Sequence, residues 1–228
     1  MESQKEVAID LLKQQRYSEA LSIFESLINS SPNDWNLHFL AGHCCRALNN
    51  LPQAVRFLEN ASILNQNEAC IFLGLGIAEQ LLGNFDKAID SLEKAIGLDS
   101  TLMEPYNSLG ITYRKIGNHR RAIECYKKAL SLRIEEVNNE VHKDKDCVEE
   151  RIEDGEKVLV ILAPFLIKTK SILKSDPSFA IMLCNLGACF LALEEIELAR
   201  KHFMESIDSI PIGYNYPDPY RYLEEMDL

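Results

Sequence analysis

No two cysteines in the 228-residue sequence are spaced CxxC. The seven present, Cys44, Cys45, Cys70, Cys125, Cys147, Cys184 and Cys189, are odd in number and scattered. Neither a zinc knuckle nor a disulfide framework is indicated, and reduced thiols are expected. Apolar runs long enough to cross a bilayer are also missing. The longest spans residues 158–167 and contains Pro164, about half of the ~20 residues a spanning helix needs. The first ten residues are polar and patterned, without the basic flank and apolar run of a secretory signal, so a cytoplasmic protein with no membrane insertion is expected. Positive charge is scarce, with 24 Lys and Arg against 35 Asp and Glu and a formal net charge of −11. Phosphate binding needs a basic footprint, so nucleic acid is not an expected partner. The imbalance is uneven: −1 over residues 1–134, −6 over 135–157 and −4 over 158–228.

Catalytic signatures are missing as well. There is no GxSxG, phosphate loop or dinucleotide fingerprint, since Gly74 and Gly76 lie inside a helical pattern rather than after a strand. His38, His43, Cys44 and Cys45 are metal-capable, but adjacent helical residues point about 100° apart and the spacing matches no zinc pattern. Residues 142–150, HKDKDCVEE, lack the glycine and ligand order of a calcium loop. No metal, cofactor or enzyme activity is therefore expected. No segment sustains a period of two, which predicts negligible strand content.

What the sequence does contain is a repeat. Gly42, Gly76 and Gly110 are 34 residues apart, and so are Ala20, Ala54, Ala88 and Ala122. Four positions after each alanine comes a large residue: Phe24, Leu58, Leu92 and Tyr126. A small residue facing a large one is what two closely approaching helices require. Each glycine is preceded by an apolar residue (Ala41, Leu75, Leu109) and followed at +3 by Cys45, Glu79 or Tyr113. Glu79 is the exception to an apolar stripe. A fixed period of this length means stacked helical hairpins.

With these residues the sequence resembles the tetratricopeptide repeat family. The resemblance implies an all-α, right-handed superhelical stack of helix-turn-helix hairpins, with repeats at 1–34, 35–68, 69–102 and 103–136. Leu186, Gly187, Phe190, Ala199, Phe203 and Pro211 reproduce the spacing in a fifth repeat at 180–213. Residues 137–179 interrupt the period and read as an acidic, then apolar helical insertion or a degenerate repeat, in which Pro164 kinks or starts a helix. Residues 214–228 read as a capping helix with Asp218 as N-cap, Pro219 as first residue, and Tyr220 and Leu223 at helical spacing.

The resemblance also implies that the first helix of each hairpin lines a concave groove that binds another protein or peptide. The groove face comprises Lys5 and Ile9; Asn36, Phe39, His43 and Arg46; Cys70, Leu73 and Ile77; Glu104, Asn107, Ile111 and Arg114; and Ile181, Cys184, Asn185 and Ala188. It is more apolar than solvation would select, as interaction surfaces are. The family's carboxylate clamp for chaperone C-termini is not implied: Lys5 matches one clamp position, but Ile9, Leu40, Cys70 and Gly74 hold the others. The expected function is an adaptor or scaffold. Alternatives are self-assembly into a homo-oligomer through the same groove, and a chaperone for a secreted protein.

Overall fold

The computed structural model describes residues 2–143, 148–153, 156–161 and 163–226. They divide into two compact units, Met1–Thr112 and Tyr113–Leu228.

The first unit is a run of antiparallel helix pairs: α1 (Glu2–Lys13) with α2 (Tyr17–Ser30), α3 (Trp35–Ala47) with α4 (Leu51–Leu64), and α5 (Ala69–Leu82) with α6 (Phe85–Leu98). Helix α7 (Met103–Lys115) follows and runs across the division. Within the pairs the glycine column meets the alanine and large-residue columns as the period predicts. A Cβ built on Gly42 would lie 2.7 Å from Leu58 Cγ and 3.3 Å from the Ala54 carbonyl oxygen; on Gly76 it would lie 2.6 Å from Leu92 Cγ and 3.2 Å from the Ala88 carbonyl oxygen. Ala54, Ala88, Leu58 and Leu92 are buried. Only hydrogen fits where one helix rests on the backbone of the next, and the leucine fills the remaining space.

The turns inside the pairs share a left-handed residue at the same place: Gln15, Asn49, Gly83 and Gly117, and later Glu194. Glycine adopts this conformation freely, whereas Gln15 and Glu194 carry strain there. Glu79, the polar intruder in the stripe, is 3% exposed and accepts a 2.6 Å hydrogen bond from Asn84, with Lys87 at 3.8 Å. Its charge is met by groups at the start of the very next helix, which is how a buried carboxylate is tolerated. Beside it, Gln80 donates to the Ser108 carbonyl oxygen at 2.8 Å and to Thr112 Oγ1 at 2.6 Å, joining α5 to α7.

The second unit contains α8 (His119–Val141), α9 (Ala163–Lys174), α10 (Pro177–Ala192), α11 (Ile196–Asp208) and α12 (Asp218–Met226). The glycine geometry returns: a Cβ on Gly187 would lie 2.8 Å from Phe203 Cδ1 and 3.2 Å from the Ala199 carbonyl oxygen. Helix α8, at 23 residues, is longer than the 14-residue α2, α4 and α6. Its extra turns bury Val137 and Val141 against Ile172 and Leu173 of α9. Helix α10 then packs on α8 itself, and Asp176 holds the junction by accepting from Ser178 N at 2.9 Å and from Arg133 Nε at 2.7 Å.

The insertion is not wholly helical, which corrects the expectation for 137–179 and for negligible strand content. An antiparallel pair, β1 (Val148–Glu153) and β2 (Glu156–Ile161), places Val148 opposite Ile161 and Glu153 opposite Glu156. The physical reason is in the sequence: β-branched residues recur in two six-residue runs separated by Asp154-Gly155, a dipeptide suited to a two-residue hairpin turn. Positions 154–155 lie outside the described residues. The helix expected near Pro164 does begin there, since α9 starts at Ala163. At the C-terminal end α12 begins at Asp218 and buries Pro219. The ring that anchors it is Tyr222, stacked on Phe203 at 4.9 Å, whereas Tyr220 is 50% exposed.

Candidate functional site

Of the groove residues read from sequence, the structure brings Phe39, His43, Cys70, Leu73 and Ile77 together around one pocket of about 160 Å³ between α3 and α5. All five are half-buried, so they are shaped by the fold without being sealed in it. Leu58, interior as the repeat implies, and Gly74, named above only as a clamp position without a cation, also line this pocket. Leu58 is 1% exposed and forms the floor. A Cβ on Gly74 would lie 3.2 Å from Leu58 Cδ2 and 3.7 Å from Phe39 Cε2, so the missing side chain keeps the pocket open. The signal for Gly74 was a glycine two residues out of phase with the repeating column.

Polar character enters from one side. Arg46 lines the pocket and is half-buried. Burial pulls the Arg46 guanidinium below its ordinary value, with Tyr17 acting the other way. The His43 imidazole is also held below its ordinary value, first by burial and then by the charge of Arg46, so His43 is neutral at neutral pH. Its Nδ1 is buried without a hydrogen-bond partner among the described residues. Burial raises the Cys70 thiol, with Glu68 adding to the effect. Burial also pushes Cys44 and Cys45 up to about 11, so neither is a ready nucleophile.

The remaining candidates lie apart from this pocket. Lys5 is ion-paired with Asp34 at 3.3 Å, and Ile9 packs against the first core cluster. Asn36 opens α3, its backbone N–H donating to the Asp34 side chain at 3.0 Å. Asn107 and Ile111 of α7 are half-buried, with Asn107 Oδ1 buried and without a hydrogen-bond partner among the described residues. In the second unit, Arg114, Asn185 and Ala188 are half-buried. Cys184, expected on an open groove face, is only 2% exposed, and the Tyr216 side chain hydrogen-bonds with its thiol. This bond to the C-terminal segment is a long-range contact that helical periodicity does not register.

Among the described residues no group of three or more His, Cys, Asp or Glu could hold a metal ion. No single described helix is long and apolar enough to cross a membrane.

Two models of the tetratricopeptide repeat match the sequence, one over residues 11–70 and one over residues 67–135. The chain is a tetratricopeptide repeat protein. The pocket lies within the matched repeats, between the first helices of two successive hairpins. Comparison with curated proteins gives no match. Among solved structures, a crystal structure of MamA is 18% identical with a TM-score of 0.65, covering 89% of this chain and 94% of that one. MamA residues 41 to the end from Desulfovibrio magneticus RS-1 is 15% identical with a TM-score of 0.67, covering 91% and 93%. At such identities the likeness speaks for the shared repeat fold.

Proposed function

We propose that this tetratricopeptide repeat protein is a scaffold that binds a segment of another protein, and that the face formed by α3 and α5 is where the segment docks. The scaffold is built of hairpins at 1–34, 35–68, 69–102, 103–136 and 180–213, with 137–179 inserted and 214–228 as the cap. The observation that carries it is the α3–α5 pocket, where five groove residues converge half-exposed around an apolar floor. A fold that encloses Leu58, Leu92 and Phe24 almost completely had the means to cover Phe39, Leu73 and Ile77, and it leaves them partly open. Concave apolar surface with a few polar groups at its edge is what a docking site for a peptide or helix presents.

The test is selection of a displayed library of random peptides, about twelve residues long and enough for a few turns of helix, on the full chain, with and without Phe39→Glu and Ile77→Glu together. Losing a central apolar anchor costs about 2 kcal/mol or more, roughly thirtyfold in affinity, and burying a carboxylate there adds to the loss. The selected peptides are expected to lose measurable binding to a double variant that keeps its helical circular-dichroism spectrum. A folded double variant that binds as before overturns the reading. So does an unfolded one, because Phe39 and Ile77 would then belong to the core.

A further inference from the structure

The α3–α5 pocket has a polar feature that the neighbouring pair of helices explains. Gln80 on α5 stands 34 residues after Arg46 on α3, at the same place in the repeat. Gln80 Nε2 donates across to the Ser108 carbonyl oxygen and to Thr112 Oγ1. The positions 34 residues before Ser108 and Thr112 are Gly74 and Ala78, so the side-chain acceptor that Thr112 gives Gln80 is replaced by a methyl group. Among the described residues no carboxylate pairs with the Arg46 guanidinium; its electrostatic neighbour is the Tyr17 phenol. A half-buried cation without a counter-charge is an unfilled interaction, since desolvation has been imposed and no Coulomb attraction offsets it. The guanidinium fork matches a carboxylate with two parallel hydrogen bonds.

We propose that this pocket reads an acidic side chain. The docked segment carries an aspartate or glutamate whose carboxylate is taken by Arg46, beside a bulky apolar residue that fills the space between Phe39, Leu73 and Ile77. The proposal rests on the α3–α5 face being the docking site and adds the chemistry of what docks there. A side-chain carboxylate fits better than a chain terminus. A terminal carboxylate calls for several converging donors, yet Lys5 is engaged by Asp34 and the Leu40, Cys70 and Gly74 positions supply no cation. Neutral His43 borders the same space and brings no competing negative charge. The chain as a whole is acidic, at −11, so recognition is short-range contact rather than long-range attraction.

The experiment uses peptides selected on the full chain from the random library. Sequences in which Asp or Glu neighbours Leu, Ile, Met or Phe are expected to dominate. Arg46→Gln, which installs the residue natural at the same place one repeat later, is expected to fold and to weaken the selected peptides by at least tenfold. Arg46→Lys is expected to be intermediate, because it keeps the charge and loses the fork. Replacing the peptide's acidic residue by its amide should weaken binding to the unmodified chain by a similar factor and change little in the Arg46→Gln background. Peptides that depend on Phe39 and Ile77 but are indifferent to Arg46→Gln overturn this inference and leave the docking site standing. Selected peptides that are indifferent to all three residues overturn the docking site itself. Binding lost on amidating the peptide C-terminus, with the acidic side chain dispensable, overturns the choice of a side-chain carboxylate.

Discussion

Replacing Gly76 by alanine puts a methyl carbon 2.6 Å from Leu92 Cγ, 2.8 Å from Leu92 Cδ2 and 3.2 Å from the Ala88 carbonyl oxygen. The first of these atoms is the branch point of a fully buried side chain and the last is backbone, so neither can swing aside without displacing a helix. Overpacking of this kind costs about 1–3 kcal/mol, and the depth of the overlap argues for the upper half of that range. Against it stands the gain of about 1 kcal/mol from replacing glycine within a helix. The net is a loss of about 1–2 kcal/mol, or about 3–6 °C in melting temperature for a chain of this size. Gly97 on α6 supplies the control, because a Cβ there meets nothing within 4 Å. Gly97→Ala, one residue from the end of α6, should keep part of the propensity gain and raise the melting temperature by about 1–2 °C. Thermal melts of the two variants, followed by circular dichroism at the helical band, decide the matter. Shifts of the same sign would refute the claim that the glycine column is a contact between helices.

Two further outcomes follow from polar groups. His43 and His202 are held below the ordinary imidazole value, chiefly by burial, so the unfolded chain binds more protons than the native one below about pH 6.5. The stability they contribute is fully present above that pH and is lost as pH falls below it; a melting temperature flat between pH 7 and pH 5 in both the unmodified chain and His43→Asn would contradict this. Asp176→Ala removes the cap of α10 and its bond to Arg133, and should destabilise the second unit by about 1–3 kcal/mol, read as an earlier unfolding step in denaturant; an unchanged profile would show that the junction is held by apolar contacts alone.

The helices and their glycine contacts were legible because a 34-residue period repeats the same steric demand several times, and each copy reinforces the others. Gly42, Gly76 and Gly187 all meet a large residue and a carbonyl oxygen in the same way. Features that occur once were harder to read. Glu79 breaks the apolar stripe, and its partners Asn84 and Lys87 lie at the start of the next helix, where the stripe carries no sign of them. The β1–β2 pair is hidden because neither six-residue run alternates: Val148 and Ile152 stand four apart, and residues 158–161 are a continuous apolar run, which serves a strand or a buried helix equally well. Among the candidate site residues, Phe39, His43, Cys70, Leu73 and Ile77 share a pocket because adjacent first helices present equivalent faces. Cys184 is buried and hydrogen-bonds with Tyr216 of the tail, a contact that no local pattern encodes.

Cys70 offers the most direct test of the central claim that a partner segment occupies the α3–α5 face. It lines the pocket and is half-exposed, whereas Cys44 and Cys45 are buried. The rate at which iodoacetamide alkylates Cys70 can be followed by mass spectrometry in the full chain, alone and saturated with a library-selected peptide. Occupation of the pocket predicts that alkylation of Cys70 slows by at least tenfold in the complex while that of Cys125, in the other unit, changes little. An unchanged Cys70 rate with the peptide fully bound would place the partner elsewhere on the protein and contradict the account.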